Sequence, residues 1–215
     1  MNCTKCGKET PAEATFCEAC DGKAKRQPNA NRSMISVKDL AVCSVMLAMA
    51  TVLSFIVVYR MPQGGSISLF SMVPLLYVAY RYPVRWALLT ALAYGLLHML
   101  FSFYPPPART ALAFIGVILL DYLVAFGVLG LAGLLARPFA GVSGMLVGGS
   151  VAIALRLACH FVSGIVIWGA YAPEGQPVAL YSLLYNGSYM VGEWVLSMVG
   201  IAALVRILPK EKALL

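Results

Sequence analysis

The chain has 215 residues, 60% hydrophobic and only 12% charged, with a mean hydropathy of +0.82, which excludes an ordinary soluble domain. Its net charge of +7 lies in a polar head, in alternate loops and at the tail. That is the topology pattern of a membrane protein, and it argues against nucleic-acid binding by the membrane portion.

Residues 1–22 form a unit of their own, with two residues between Cys3 and Cys6 and two between Cys17 and Cys20. Each pair has the knuckle spacing that brings two thiolates to one tetrahedral ion, and four thiolates suit structural zinc. Gly7 and Phe16 add to the likeness to short zinc ribbons; a redox-active thiol pair or a disordered leader are the alternatives. So small a unit folds on metal binding and not on apolar burial. No apolar run precedes about residue 40, so no cleavable signal is expected, and the head is expected in the cytoplasm with reduced thiols. Residues 23–37 read as a basic linker containing Pro and Asn.

Residues 38–208 read as a membrane domain, an all-α bundle of six transmembrane helices. The spans are predicted at Leu40–Val58, Ile67–Tyr80 (short, with Pro74), Val84–Phe103, Thr110–Leu135, Val142–Trp168 and Val178–Leu208. Residues 209–215 are left as a tail. With both ends inside, thirteen of the 16 Lys and Arg residues fall on the cytoplasmic side. Arg60 and Arg109 fall outside, and Arg156 lies within the fifth span. The bias orients the chain in the cell membrane with both termini cytoplasmic.

Of nine acidic residues, Asp121 and Glu193 lie deep in apolar sequence, where an unpaired carboxylate is costly. Arg156 is the obvious internal partner for one of them. The other is balanced by a cationic ligand, unless one carboxyl is protonated or reaches the interface. Tyr122, Trp168, Tyr181, Tyr185 and Tyr189 supply ring faces that attract organic cations and stack on flat heterocycles. Aromatic belts use the same residues, so Trp168 alone fits either role. Arg156, His160, Gly164 and Trp168 recur every fourth residue, and Asn186, Tyr189 and Glu193 share one face of the last span. Tyr181 lies about 140° from Asn186 on a regular helix and so approaches a shared ligand from the helix entrance. His98 reads as packed or interfacial. Asn186-Gly-Ser188 fits the glycosylation pattern, but inside a span it is not expected to be modified. No P-loop, nucleophile elbow or His-Glu-x-x-His pattern occurs, so an energy source is expected from a partner or an ion gradient.

Met61-Pro-Gln-Gly-Gly-Ser-Ile67, Leu120-Asp-Tyr-Leu-Val-Ala-Phe126, His160-Phe-Val-Ser-Gly-Ile-Val-Ile-Trp168 and Tyr181-Ser-Leu-Leu-Tyr-Asn-Gly-Ser-Tyr189 resemble the thiamine-specific substrate-binding components of energy-coupling factor transporters. The resemblance covers about residues 38–208 and leaves out the cysteine head, which is not typical of the family. It implies a six-helix membrane protein that binds thiamine near the outer surface. Its implied partners are a membrane-embedded coupling subunit and two cytoplasmic ATPases. Asp121 takes the place of an acidic residue facing the ligand's cation, with Tyr122 as its aromatic neighbour, and His160, Trp168, Tyr181 and Asn186 match other pocket positions. Two tryptophans of some members are replaced here by Gly64-Gly65-Ser66 and Ala172-Pro173, so stacking rests on Trp168 and the tyrosines. The resemblance also implies small residues on the first span for docking on the coupling subunit, a place that Ser44 and Ala48 fit by spacing.

Thiamine fits the residues on chemical grounds, since a thiazolium wants a carboxylate and ring faces, and an aminopyrimidine wants stacking and amide hydrogen bonds. No catalytic cofactor is expected. Three readings stand beside it: uptake of a precursor or another heterocycle, an enzyme using His160 with Asp121 or Glu193, and a sensor with a zinc head. The outer loops, above all the Gly64-Gly65 turn, are the expected lid.

Overall fold

The computed structural model describes residues 36–139 and 141–207. The cysteine unit, most of the linker and the tail lie outside the described residues. Two compact units divide at Leu40, and the described part of the first holds only the cap of a helix. There, Asp39 N–H donates to Ser36 Oγ at 3.1 Å while the Ser36 hydroxyl donates to Asp39 Oδ2 at 2.8 Å. This reciprocal arrangement satisfies donors that have no partner within the helix.

Among the described residues, six helices of nine or more residues follow in chain order: α1 (Val37–Ser54), α2 (Val73–Arg81), α3 (Val84–Ser102), α4 (Ala111–Ala136), α5 (Gly141–Val166) and α6 (Val178–Ile207), with a short 3-10 turn at Gly169–Tyr171 between the last two. An antiparallel hairpin of β1 (Val57–Arg60) and β2 (Ser66–Ser68) separates the first two. Five helices are long and apolar enough to cross a membrane; α2 is not.

The second predicted span therefore takes a different form. Its helix has nine residues, about 14 Å at 1.5 Å per residue, which is half of a hydrocarbon core. The alternation Ser66-Ile67-Ser68 suits a strand, and Gly64, at φ +94°, takes the left-handed turn that glycine tolerates. Val57 and Val58, placed in the first span by sequence, lie in or beside β1, with a one-residue irregularity between Val57 and Tyr59. Pro74 sits in the first turn of α2, where its missing N–H costs nothing, and Pro83 stops the helix.

Phe55, just beyond α1, meets Phe101 at the end of α3 with ring centroids 5.5 Å apart. Arg81, ending α2, is separated from Val84, starting α3, only by Tyr82 and Pro83. The hairpin and α2 together thus run the length of α3, from its last turn back to its first.

The core is built around α2, whose Leu75, Leu76, Val78 and Ala79 are buried. Gly133 on α4 lets that helix lie against α2, because a Cβ there would collide with the Ala79 carbonyl oxygen. Leu89, Leu96, Ile115, Leu155, Leu184 and Val195 face outward and are exposed, as expected where lipid is the solvent. Arg156, His160, Ser163, Asn186 and Glu193 are buried instead.

α4 is continuous but irregular. Thr110 Oγ1 caps it, accepting from Ala113 N–H at 3.3 Å. Residues Ile118–Leu123 widen into a π turn in which Val124 N–H reaches the Leu119 carbonyl. Such bulges are frequent at functional sites, and this one carries Asp121 and Tyr122.

Candidate functional site

The stripe Arg156, His160, Gly164 and Trp168 lines a cavity of about 870 Å³, its open mouth included. Asp121, Tyr122, Tyr181, Asn186, Tyr189 and Glu193 line it as well. The structure thus gathers every membrane-domain residue singled out for the ligand. Ser44 and Ala48 are exposed on α1 and do not line it.

Asp121 is the most heavily held group. Its Oδ1 lies 3.0 Å from His160 Nδ1, while Oδ2 accepts the Ser163 hydroxyl at 2.7 Å and the Trp168 indole N–H at 3.0 Å. On a regular helix Asp121 and Tyr122 would diverge by about 100°, and the wider π turn lessens that divergence. With Nδ1 turned to the carboxylate, a neutral His160 carries its proton there, an assignment made from the bond it forms. Nε2 is then an acceptor, and it is buried without a hydrogen-bond partner.

Arg156 departs from expectation. Among the described residues it is His160 that lies against Asp121, and Arg156 pairs with neither carboxylate. Its guanidinium lies 4.1 Å from the centroid of the Phe126 ring, and Nη1 reaches Met72 Sδ at 3.2 Å. The ring face supplies the negative potential that sequence reasoning sought in a carboxylate. Glu193 is satisfied by the hairpin, its Oε1 accepting Ser68 N–H at 2.5 Å and the Ser68 hydroxyl at 2.8 Å.

Asn186 is largely used within the protein. Its Nδ2 donates to the carbonyls of His160 at 3.2 Å and Ser182 at 3.0 Å, and its Oδ1 accepts from Tyr189 OH at 3.0 Å. One lone pair on Oδ1 is left over. Tyr122 OH likewise ties α4 to the end of α3 and the connection that precedes α4, donating to the Ser102 carbonyl at 3.0 Å and accepting from Tyr104 N–H at 3.1 Å.

The mouth is aromatic. Trp168 lies beyond the end of α5, with ring centroids 5.8 Å from Tyr104 and 6.2 Å from Tyr171. Tyr181 stands on the first turn of α6, at the helix entrance, 5.8 Å from Tyr185. The hairpin turn closes the side: Gln63 N–H and Gly65 N–H donate to Tyr185 OH at 3.1 and 3.4 Å.

Sequence reasoning missed Ser163, Ser68, Ser71 and Tyr104, and left His98 outside the site. His98 packs against Tyr94, Tyr122 and Phe126 with centroids at 5.8, 6.0 and 5.0 Å, yet it also lines the cavity. Ser163, three residues after His160, could have been found by helical spacing; Ser68 could not, because its place depends on the hairpin. Among the described residues no three His, Cys, Asp or Glu side chains converge on a metal position. The chemistry on offer is a carboxylate fixed by three donors beside several ring faces, which suits a flat organic cation.

Comparison with known proteins agrees. Residues 40–213 match the family described as "Thiamine transporter protein (Thia_YuaJ)". The thiamine transporter ThiT of Bacillus subtilis (strain 168) is 33% identical over 205 residues, covering 86% of this chain and 100% of that protein. A thiamine transporter ThiT of Lacticaseibacillus paracasei is 33% identical over 102 residues, 43% of this chain and 51% of that one. A solved structure of ThiT from Listeria monocytogenes superposes with a TM-score of 0.63 at 27% identity, covering 81% of this chain and 97% of that chain. This chain belongs to the thiamine transporter protein family.

Proposed function

We propose that this chain is the membrane component that binds thiamine for uptake, with energy supplied by a coupling subunit and two ATPases. The observation that carries the reading is the Asp121 carboxylate, fixed by His160, Ser163 and Trp168 in the wall of an aromatic cavity. A thiazolium ring carries a permanent charge and a flat face, and those two groups meet both needs. His160 Nε2 and the spare lone pair of Asn186 are acceptors for the aminopyrimidine amine. The relatives are named thiamine transporters. Since the family is one of transporters, the enzyme reading of His160 with Asp121 or Glu193 is set aside.

The finer parts of the reading belong to the same proposal. The hairpin with α2 serves as the second of six crossings, because it runs the length of α3, and both termini lie on the cytoplasmic side with Arg81, Arg85 and Arg137. Ser44 and Ala48, exposed four residues apart on α1, form the face for the coupling subunit. Cys3, Cys6, Cys17 and Cys20 hold a structural zinc ion.

Competition between thiamine and riboflavin for the purified protein tests the binding reading. Thiamine should displace bound labelled thiamine while riboflavin leaves it in place; equal displacement by both would sink the assignment.

A further inference from the structure

Ser163 stands in the last turns of α5 at 0% exposure, with its hydroxyl and its carbonyl both turned to functional neighbours. The hydroxyl donates to Asp121 Oδ2 at 2.7 Å and lies 3.1 Å from the Trp168 indole nitrogen, whose N–H it accepts. The carbonyl accepts the backbone N–H of Ile167 at 2.8 Å and of Trp168 at 3.3 Å. Trp168 Nε1 closes the triangle, 3.0 Å from Asp121 Oδ2. One side chain therefore touches both the carboxylate carried by α4 and the indole that follows α5.

A hydroxyl has a single proton. Given to Asp121, it leaves only lone pairs for Trp168, so the indole must point its N–H at the same corner as the carboxylate. The direction of each bond depends on the other two.

We propose that Ser163 is a positioning residue that locks Asp121 and Trp168 into one unit, and that this unit selects an aromatic cation over an uncharged ring of the same shape. The inference rests on the thiamine reading above. A cationic ring needs the carboxylate and the ring face in place together, and holding both beforehand removes the ordering cost from binding. An uncharged ring needs only the face. Without the hydroxyl, Asp121 keeps His160 and Trp168 but loses its shortest donor, and the indole keeps one acceptor of two. Both groups then turn more freely, and the loss falls mainly on the charged ligand.

The test compares the full-length protein with Ser163→Ala, a substitution close in volume. Each is titrated with thiamine and with a thiamine analogue whose thiazolium is replaced by an uncharged thiophene. Ser163→Ala should weaken thiamine by about tenfold or more, the scale of a charge-assisted hydrogen bond, and the analogue by less than about threefold. In an Asp121→Asn background the same substitution should change thiamine affinity by less than about threefold, because coupled residues are not additive. Equal losses for the two ligands, or full additivity with Asp121→Asn, would overturn the inference and leave Ser163 a packing residue. If Ser163→Ala does not fold, Ser163→Cys, a weaker donor of similar shape, is judged by the same two ratios. A folded wild type that binds no thiamine would instead overturn the thiamine reading, and this inference with it.

Discussion

Glu193, 2% exposed on α6, is joined to Ser68 of the hairpin twice through one oxygen, at 2.5 Å to the backbone N–H and 2.8 Å to the hydroxyl. A carboxylate that looks in sequence like a ligand group is thus first an anchor for the polypeptide beside the cavity. The Tyr185 hydroxyl, two turns nearer the mouth, holds the hairpin turn through Gln63 and Gly65. Between Ser68 and Ser71, Phe70 adopts φ +58°, a left-handed conformation unusual for a bulky side chain. Such positions persist only where their surroundings enforce them, and here the flanking serines are bonded to each other at 2.6 Å.

Glu193→Gln removes the charge from this anchor and should weaken the hold on the hairpin by about 1–2 kcal/mol. Hydrogen exchange read over residues 57–69 should quicken relative to wild type, with α5 unchanged. Unaltered exchange in the hairpin would show that Glu193 does not fasten it.

Tyr185→Phe removes the acceptor for two backbone donors at the turn. Thiamine should leave the protein faster by roughly threefold to tenfold, the range that a lost hydrogen bond of about 1 kcal/mol allows, while its association rate changes little. Stopped-flow dissociation measures this, and an unchanged off-rate would remove Tyr185 from the closure of the mouth.

Asp121→Asn keeps the shape of the side chain but removes its charge. Thiamine affinity should fall by on the order of 1–3 kcal/mol, as read by calorimetry. Undiminished affinity would take Asp121 out of the site.

Two glycines separate packing from propensity. Gly133→Ala forces α4 away from the Ala79 carbonyl and should destabilise the protein by about 1–3 kcal/mol. Gly187, on α6, has nothing within 4 Å of the place an added methyl would take, so Gly187→Ala should stabilise the helix by about 0.5–1 kcal/mol. Thermal unfolding in detergent should rank Gly187→Ala above wild type and wild type above Gly133→Ala; the reverse order contradicts this packing.

Much of this arrangement is legible in the sequence, because length and apolarity alone mark a membrane helix. That is why α1, α3, α4, α5 and α6 fall close to their expected places. The stripe from Arg156 to Trp168 is legible for a similar reason, since four-residue spacing survives the fold even though Trp168 lies past the helix end. What is not legible depends on contacts distant in the chain. The hairpin hides because its strands straddle the end of one apolar run and the start of the next, Val57–Arg60 and Ser66–Ser68, and its fastening to Tyr185 and Glu193 comes from residues far along the chain. The π turn at Asp121 leaves no mark in the periodicity of so apolar a helix. Charge counting pairs Arg156 with a carboxylate, whereas Phe126 and Met72 hold it and serines meet the acids. Counting charges misses neutral donors.

Thiamine bound against Trp168 and Asp121 must change the fluorescence of that indole, and quenching reads the contact without a label. Of the three tryptophans, only Trp168 lines the cavity. Thiamine should quench the wild-type protein saturably and tightly, and Trp168→Phe should lose most of that quenching while remaining folded. Folded wild-type protein showing neither quenching nor heat of binding would contradict thiamine binding, and full quenching retained in Trp168→Phe would put the ligand elsewhere.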